Sequence, residues 1–585
     1  MKKFLLAFTL LLTMWLPMQA EAATRYICKC DTGSQTGCSS AVGSDAANGQ
    51  TQATAWLNVE MARQWFLTGA AAGDQILFCR GGQWTSAPGA VTNAWQANAC
   101  VGTGPQAVCA ANPITIGAYS PTNCPGCTRK PKILRPSPNG AALDFTNGNS
   151  GVVDGGYIVR DLWLVGSEVA SQAIPQDSGA GVFVGQLAHD VQLLNLTIDG
   201  FGIGVYCGDF SQRIDLRNST IRYNKYQGTL WGCAYGLIDN NTWIQNGYGD
   251  DPFEGGDAED VPGSDFVFHH QMYLSGAEPA NLTDPANANN MMVSNNTFIR
   301  SQFPPAGEFN AGLCNAATIV THSRVDKLTY EKNIIEFEPG EALGGCWGIT
   351  ADTAYGSPEG FKNMVIRGNK LVNNGGVGFS YNASPGVIVE NNIAVNNHDT
   401  NGFYFIQLPD RGQQGGHEDT GSIIRNNTMY FAVTPWYSLF ASYNEVNAYD
   451  PGVNLVMHGN ITYLAASVAN PRGCFDTRKT VIGDFLNFSH NTCYDVSGTA
   501  TYDYRGAPID SNRLQTNPGF AVTPSDANDW NLSLASGSPS RDSALAAYSA
   551  KADFKGCNHK GTPDRGALNY DPTCVAGPSV PKRFR

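Results

Sequence analysis

The chain has 585 residues, of which 42% are hydrophobic and only 15% are charged. This composition supports a large buried core, which excludes extensive disorder, and so little charge argues against long solvated helices. The net charge of −13 disfavours non-specific binding to nucleic acid, although a local basic site for an acidic substrate remains compatible with it.

The first 22 residues have the pattern of a secretory signal peptide. Lys2 and Lys3 precede an apolar run at 4–16, and the A-x-A sequence at 20–22 predicts cleavage before Ala23. The alternative, a membrane anchor, is disfavoured because the run is short, and no later stretch has the length and apolarity of a span. We therefore expect a secreted or periplasmic monomer without a transmembrane segment, and the 16 cysteines fit such an oxidising compartment.

An asparagine recurs in one local frame, between two short apolar strands. The ten positions are Asn195, Asn218, Asn241, Asn296, Asn333, Asn369, Asn392, Asn427, Asn460 and Asn491. The first three are 23 residues apart, Asn369 and Asn392 are again 23 apart, and the other intervals are longer. This pattern indicates one structural unit of about 23 residues with insertions of variable length.

Each unit contains three short strands and a Gly-rich step, which leaves no room for helices between parallel strands. The unit therefore fits one coil of a parallel β-helix, with its asparagines stacked as a ladder. We predict an all-β solenoid of about ten or more coils with an N-terminal capping helix near 54–67. The alternative, glycosylation sequons on a β-sandwich, does not explain the shared frame.

The cysteine positions suggest four disulfides. The predicted pairs are Cys124–Cys127, Cys207–Cys233, Cys314–Cys346 and Cys557–Cys574. The second and third pairs fall on neighbouring coils, within bridging reach. The first pair is a C-x-x-C, which also suits half of a zinc site, but the sequence has no second C-x-x-C or H-x-H to complete one.

Both ends of the mature chain carry motifs of one protein family. The N-terminal motifs are GSDAANG at 43–49, AWL at 55–57 and AAGDQILF at 71–78; the C-terminal ones are NPGF at 517–520, WNLSL at 530–534 and DRGA at 564–567. The chain thereby resembles bacterial right-handed parallel β-helix proteins of the pectate-lyase-like superfamily. Together with the signal-peptide pattern and the repeats, this resemblance predicts the domain organisation: a signal peptide at 1–22, a cap and first coils at 23–135, a β-helix core at 136–500 and a closing segment at 501–585.

Strand alternation gives candidate catalytic residues. In the stretch 265–275, Met272 and Leu274 are expected to face inward together with His270, which places His269, Gln271 and Tyr273 outside. In the next unit, an inward Ile319 places His322 and Arg324 outside. If these strands form one sheet, we expect His269, Tyr273, His322 and Arg324 to lie on neighbouring coils.

These residue types suit cleavage of a uronate polymer by β-elimination. The reaction needs a cation at the carboxylate, a base for the C5 proton and an acid at the leaving oxygen. Arg324 can serve as the cation, His269 or His322 as the base and Tyr273 as the acid. The candidate substrate-binding residues are Gln271, Asp352, Asn382, Tyr404 and Trp231.

An acidic stretch at 249–260 precedes the histidine strand. Asp250, Asp251 and Asp257 offer oxygen ligands for Ca²⁺, although the spacing is not that of an EF-hand and a solvated acidic loop is the alternative. The sequence thus predicts a secreted polysaccharide lyase acting on an acidic glycan. A glycoside hydrolase, a C5-epimerase and a non-catalytic carbohydrate-binding or surface β-helix remain as alternatives, because this fold carries all of them.

Overall fold

The computed structural model describes most of the chain after the first 21 residues. The described ranges are 22–31, 34–85, 100–101, 108–109, 112–135, 140–145, 154–166, 179–185, 188–208, 211–247, 269–275, 290–300, 314, 317–338, 341, 346–351, 360–382, 384–397, 403–410, 420–432, 437–444, 454–465, 474–476, 485–498, 510, 512–522, 532–559, 561–571 and 573. Within these ranges, no helix is long and apolar enough to cross a membrane.

The chain folds as a right-handed parallel β-helix, as expected, and its described strands form three long parallel sheets. The first sheet has the strands Thr24–Ile27, Gln75–Cys79, Ile114–Tyr119, Asp154–Arg160, Ala188–Leu194, Asp215–Arg217, Leu237–Asp239, Met292–Ser294, Thr329–Glu331, Val365–Arg367, Ile388–Glu390, Ile423–Arg425, Leu455–His458 and Phe485–Ser489. The second has Gln83–Thr85, Lys132–Leu134, Trp163–Val165, Thr197–Asp199, Thr220–Arg222, Thr242–Ile244, Thr297–Ile299, Ile334–Glu336, Lys370–Val372, Ile393–Asn396, Thr428–Phe431, Ile461–Leu464 and Thr492–Asp495. The third has Ala141–Asp144, Ala180–Val184, Ile203–Cys207, Gln227–Trp231, His270–Ser275, Ala317–His322, Trp347–Ala351, Gly376–Tyr381, Phe403–Asp410, Tyr437–Asn444 and Phe475–Asp476.

The remaining described elements are short. Arg324–Asp326 pairs with Gly360–Lys362 in parallel, Cys100–Val101 pairs with Val108–Cys109 in antiparallel fashion, and 3₁₀ turns span Cys38–Ala41 and Gln52–Thr54. The α-helix Val59–Gly69 buries Ala62 and Phe66 against the first coils. It lies close to the capping helix predicted near 54–67.

The core consists of apolar residues stacked in register from coil to coil. Many strands of the first and second sheets have only three residues, and in several of them a buried middle residue lies between two partly exposed ones. Ile221, Trp243 and Phe298 occupy this middle position in three successive coils, and the rings of Trp243 and Phe298 stack at 4.8 Å. Single apolar residues between polar neighbours thus dictate the strands, because each strand shows only one face to the core.

A ladder of buried asparagines follows the turn between the first and second sheets. Its members are Asn241, Asn296, Asn333, Asn369, Asn392, Asn427, Asn460 and Asn491, and each donates Nδ2–H to the Oδ1 of the next at 2.9–3.1 Å. Each also donates to a strand carbonyl, as Asn333 does to Val293 at 2.9 Å. The ladder ends on the carboxylate of Asp510, which accepts the backbone N–H and the Nδ2–H of Asn491.

The prediction that Asn195 and Asn218 belong to the ladder is wrong by one residue. Both adopt left-handed backbone angles, with φ of 50° and 53°, at the turn position that precedes the ladder. Leu196 and Ser219 occupy the ladder position in these two coils, and Ser219 donates its N–H to the Oδ1 of Asn241 at 2.9 Å. The paired asparagines of later units hid this offset, because either asparagine fits the same short frame.

Three predicted disulfides are confirmed. Cys124–Cys127, Cys207–Cys233 and Cys314–Cys346 are bonded, and the last two have Cα–Cα distances of 5.8 and 5.1 Å. Cys557 is also disulfide-bonded, but its predicted partner Cys574 lies outside the described residues. The described residues contain three further disulfides, Cys28–Cys79, Cys30–Cys38 and Cys474–Cys493.

The C-terminal segment packs along the outside of the last coils. Ala550 donates its N–H to Asn426 Oδ1, Gly566 donates to the Gly459 carbonyl, and Leu545 donates to Nε2 of His458 at 3.0 Å. His458 is fully buried, and burial lowers its pKa to about 4, so it remains neutral in this contact. The segment therefore closes the structure by satisfying polar groups of coils far from it in sequence.

Candidate functional site

The third sheet carries the candidate site on its outer face. Its strands pair Gln227 with His270 and Thr229 with Met272. Gln271 and Met272 both face the interior: Met272 belongs to the core, and the Gln271 amide bonds Asn246 and the Ile299 carbonyl. Two consecutive inward residues interrupt the strict alternation, as in a β-bulge.

This interruption corrects two sequence predictions. His270 lies on the same face as Tyr273, and their ring centroids are 5.9 Å apart, whereas an inward His270 was expected. Gln271 was expected to contact substrate but is fully buried, where it extends a short ladder of Asn224 and Asn246. The alternation rule failed because the interior of each coil accepts one additional residue at this point.

A glycine stack explains how the backbone makes this bend. In the preceding coil the equivalent position is Gly228, where a Cβ atom would collide with the Gln271 carbonyl and with the ring of Trp243. The close approach of the two backbones therefore requires glycine in that coil. As a result, the residues on either side of the bend, Gln227 and Leu230, lie outward like His270 and Tyr273.

The outer face consists of two in-register rows. The Tyr273 row contains Phe183, Tyr206, Leu230, Tyr273, Val320, Thr350, Ser380 and Gln407. The His270 row contains Ile203, Gln227, His270, Ala317, Trp347, Val377 and Tyr404. Adjacent members of a row are separated by the strand spacing of about 4.8 Å.

Three histidines and a tyrosine gather on and beside these rows, and we call them the histidine–tyrosine cluster (His269, His270, Tyr273 and His322). The Tyr273 ring lies 5.3 Å from the His322 ring, and His269 packs 5.2 Å from the ring of Tyr226. His322 lies outward, as predicted, because Thr321 before it points inward and bonds the Tyr330 hydroxyl. The structure thus brings together three of the four predicted catalytic residues and adds His270.

His270 has a defined protonation state. Its Nδ1 lies 2.8 Å from the Ala317 carbonyl, and a carbonyl only accepts, so Nδ1 carries the proton. Burial lowers the pKa of His270 to about 3, although the hydrogen bond to the Ala317 carbonyl favours the charged form. His270 therefore stays neutral near pH 7, with Nε2 as its basic nitrogen.

The prediction for Arg324 assumed that it lies in the same sheet as the other candidates, but Arg324 does not belong to the third sheet. The chain turns at Ser323, which has a φ of 65°, and Arg324 opens the short strand that pairs with Gly360–Lys362. It therefore lies at the corner beside His322 rather than on the face with Tyr273. A second cation borders the cluster at its other side: Lys225 is buried, and its Nζ lies 5.2 Å from the Tyr226 ring centre.

The structure places the predicted substrate-binding residues in different environments. The prediction for Trp231 is wrong, because this residue pairs with Cys207 and Leu274 on the inward row and is part of the core. Tyr404 lies in the His270 row, next to Trp347 and Val377 in a cluster separate from the core. Asn382 directly follows the third-sheet strand that ends at Tyr381, and it is buried.

The predicted calcium ligands and one substrate ligand cannot be placed. Asp250, Asp251, Asp257 and Asp352 lie outside the described residues. Within the described part of the chain, the one group with metal-ligand proximity is Cys28, Cys30 and Cys38. All three are disulfide-bonded, so they offer no thiolate to a metal.

Sequence reasoning missed His270, Lys225, Trp347 and the pair Phe183 and Tyr206. The bulge concealed His270, and no motif marks the others. The one available signal was the register itself: once Gln227 is aligned with His270, Tyr226 falls opposite His269 and Tyr206 falls in line with Tyr273.

Comparisons with known proteins give structural similarities at low identity. No family model matches the chain, and no curated protein sequence matches it. Solved structures with a similar fold include a GH136 lacto-N-biosidase from Eubacterium ramulus, at 12% identity over 80% of this chain and 67% of that chain with a TM-score of 0.39. They also include a PL6 family polysaccharide lyase from Pseudopedobacter saltans, at 14% identity over 78% of this chain and 91% of that chain with a TM-score of 0.40. A tailspike protein of the E. coli bacteriophage HK620 is similar at 10% identity, over 78% and 73% of the two chains with a TM-score of 0.40.

Proposed function

We propose that this protein is an exported, carbohydrate-active enzyme that cleaves an acidic, uronate-containing polysaccharide by β-elimination. The observation that supports this proposal is the histidine–tyrosine cluster, in which the Tyr273 ring lies between His270 and His322 on the outer face of the third sheet. The rows of this face run in register along the helix axis over several coils, a geometry that suits a linear polymer. The disulfides of the described coils fit the oxidising compartment that the signal-peptide pattern implies.

The chemistry needs a base that is neutral at working pH. We assign this role to Nε2 of His270, because its Nδ1–H is held by the Ala317 carbonyl, which leaves Nε2 as the nitrogen that can accept a proton. His270 removes the C5 proton of the uronate, and the electron pair left at C5 forms the C4–C5 double bond as the C4–O bond breaks. No water is consumed in this step.

The leaving oxygen needs a proton and the uronate carboxylate needs a cation. Tyr273 donates its hydroxyl proton to the leaving oxygen, since it adjoins both His270 and His322. Arg324, beside His322, is the proposed partner of the carboxylate, which stabilises the negative charge that develops at C5.

The decisive assay is incubation of the mature protein with uronate polymers. A lyase produces unsaturated ends that absorb in the ultraviolet, and an inactive outcome on all polymers would contradict the proposal. New reducing ends without absorbance would indicate a hydrolase, and an altered uronate composition without cleavage would indicate a C5-epimerase.

The role of Arg324 has a matched control. Arg324→Ala is expected to lower turnover by about 10²–10³-fold, the usual cost of losing one charge contact in a transition state. Arg367→Ala should not, because Arg367 is a half-exposed residue of the first sheet paired with Glu331 at 2.9 Å. Equal activity of folded Arg324→Ala and the parent protein would exclude this assignment, and Lys225→Ala would then test the other cation that borders the cluster.

A further inference from the structure

The C-terminal segment, residues 540–571, is held on the last coils partly through an imidazole. Leu545 donates its N–H to Nε2 of His458 at 3.0 Å. Other hydrogen bonds of this interface end on oxygens, such as the Asn426 Oδ1 that accepts the Ala550 N–H at 2.9 Å. Amide and carbonyl oxygens remain acceptors at every pH between 4 and 7, whereas an imidazole nitrogen does not. His458 is therefore a member of this interface that acid can change.

The contact with Leu545 determines which nitrogen of His458 carries the proton. A backbone N–H only donates, so Nε2 is unprotonated, and Nδ1 donates to Ser489 Oγ at 3.2 Å. A proton added at Nε2 would place two N–H groups against each other and break the contact. The ring is fully buried, so bulk water cannot replace Leu545 while the segment is in place.

Side chains from the neighbouring coils and from the C-terminal segment surround His458. The titratable and charged ones are Arg425 with its partner Glu390, His490, Asp510, Tyr548 and Arg565. Burial is the main cause of the lowered His458 pKa of about 4, and the Arg565 cation lowers it further, whereas Asp510 acts in the opposite direction. A proton on His458 is therefore costly while the segment is bound and is accepted readily once the segment is released.

We propose that the C-terminal segment is an acid-sensitive strap, which is released from the last coils when His458 is protonated. The Leu545 N–H and a proton compete for the same nitrogen, so the strap binds only to the neutral ring. The event is local, because the backbone pairing of the coils beneath does not depend on pH in this range. This inference is independent of the proposed cleavage of a polysaccharide.

Release of the strap uncovers an apolar face on the second sheet. The cluster that it opens contains Ile393, Val395, Tyr430 and Tyr463 of the coils and Ala567 and Leu568 of the segment. The rings of Tyr430 and Tyr463 are stacked, 5.3 Å apart, and Ile393 and Val395 have no exposed surface while the segment is bound. Exposed apolar faces of this kind bind other apolar surfaces. Acid therefore changes the surface that the protein presents.

Hydrogen–deuterium exchange of the full mature chain tests the release, with rates corrected for the intrinsic effect of pH on exchange. The bound state is fully stable above about pH 6.5 and loses stability as the pH falls toward the bound-state pKa of about 4. The opening equilibrium should rise roughly 50-fold between pH 7 and pH 4.5. Protection of the amides at 545–567 should fall by that factor, protection at 190–240 should not, and binding of a hydrophobic fluorescent dye should rise.

A matched pair of variants identifies the histidine. His458→Gln retains an acceptor for the Leu545 N–H but does not titrate, so its strap should remain protected at pH 4.5. His189→Gln is the control: His189 is also fully buried, with a pKa lowered to about 4 mainly by burial, but it lies in the N-terminal coils, so this variant should open like the parent protein. Equal protection of the parent strap at both pH values, or the same acid-induced loss in His458→Gln, would overturn the proposal.

A second variant serves if a thermal melt shows that His458→Gln is poorly folded at pH 7. His490→Gln leaves the contact between His458 and Leu545 in place and removes a ring 5.1 Å away that gains positive charge in acid. Its strap should lose several-fold less protection than that of the parent protein. An equal or larger loss would overturn the proposal, and so would a loss of protection in the parent protein that extends equally through the coils, because that result would show global unfolding.

Discussion

The asparagine ladder and the outer face of the third sheet belong to the same coils but are built by opposite rules. In the ladder, the same residue makes the same bonds in eight successive coils, as Asn333 does with Asn296 and Asn369. On the outer face, each coil places a different side chain in the same row: Leu230, Tyr273 and Val320 follow one another. Repetition serves the stack, because each rung needs an identical partner, whereas a site needs different groups at fixed separations.

The largest expected effect is a loss of activity without a loss of stability, caused by a substitution on the outer face. Tyr273→Phe removes one hydroxyl from the cluster and should lower turnover on a uronate polymer by about 10²–10⁴-fold, as loss of a general acid does. Its thermal midpoint should equal that of the parent protein, because Tyr273 lies outside the core. Tyr494→Phe, on the second sheet, is the control; equal activity of both variants would show that Tyr273 has no catalytic role.

Two buried histidines, His458 and His270, allow the two regions to be compared by the pH dependence of their stability. His458 and His270 both have lowered pKa values, about 4 and about 3, because burial disfavours their charged forms. The unfolded chain binds these protons near pH 6.5, so stability is complete above that value and is lost as pH falls toward the folded pKa. By the lower end of its window, His458 should therefore contribute roughly 3 kcal/mol of destabilisation and His270 roughly 5 kcal/mol.

Substitution of His458 isolates its share of this effect. His458→Gln retains an acceptor for the Leu545 N–H but cannot be protonated, so it should remove about 2–3 kcal/mol of the stability loss between about pH 7 and pH 4.5. Chemical denaturation at several pH values measures this. An unchanged pH dependence in the variant would show that His458 does not titrate in the folded protein below its usual range.

A ladder variant should have the reverse profile of Tyr273→Phe. Asn333→Ala deletes a side chain that accepts from Asn296 and donates to Val293 and Asn369, which leaves buried groups without partners. We expect a loss of about 2–4 kcal/mol of stability with normal turnover of the folded fraction. Asn218→Gly, at an exposed position with left-handed backbone, should cost little; equal melting of the two variants would contradict a stabilising ladder.

The smallest expected effect comes from a substitution that extends the ladder by one residue. Ser219 occupies the ladder position before Asn241, so Ser219→Asn places a donor beside the Asn241 Oδ1. We expect a gain of about 0.5–1 kcal/mol, the net value of one additional buried hydrogen bond. A lower thermal midpoint would mean that this narrower coil has no room for the amide.

The coils, most of the ladder and three disulfides could be predicted because repeated residues reveal a repeated environment. The site residues depend on single contacts that do not repeat. Gln271 turns inward because Asn246 of the previous coil offers it a partner, and that bond determines where His270 lies. Arg324 leaves the sheet because the backbone turns at Ser323, and no local pattern marks Ser323 as left-handed.

The last rung of the ladder differs chemically from all the others. An asparagine amide both donates and accepts, so a column of asparagines can be extended by any further copy that aligns with it. The Asp510 side chain has no N–H group, and its two oxygens already receive the N–H groups of His490, Asn491 and Asn512. The column thus ends at a side chain that has no N–H group to donate to a following residue. A β-helix exposes pairing edges at its ends, and such edges invite end-to-end fibre growth. Asp510 gives the asparagine column a polarity with a defined stop, which discourages one molecule from serving as the template for the next.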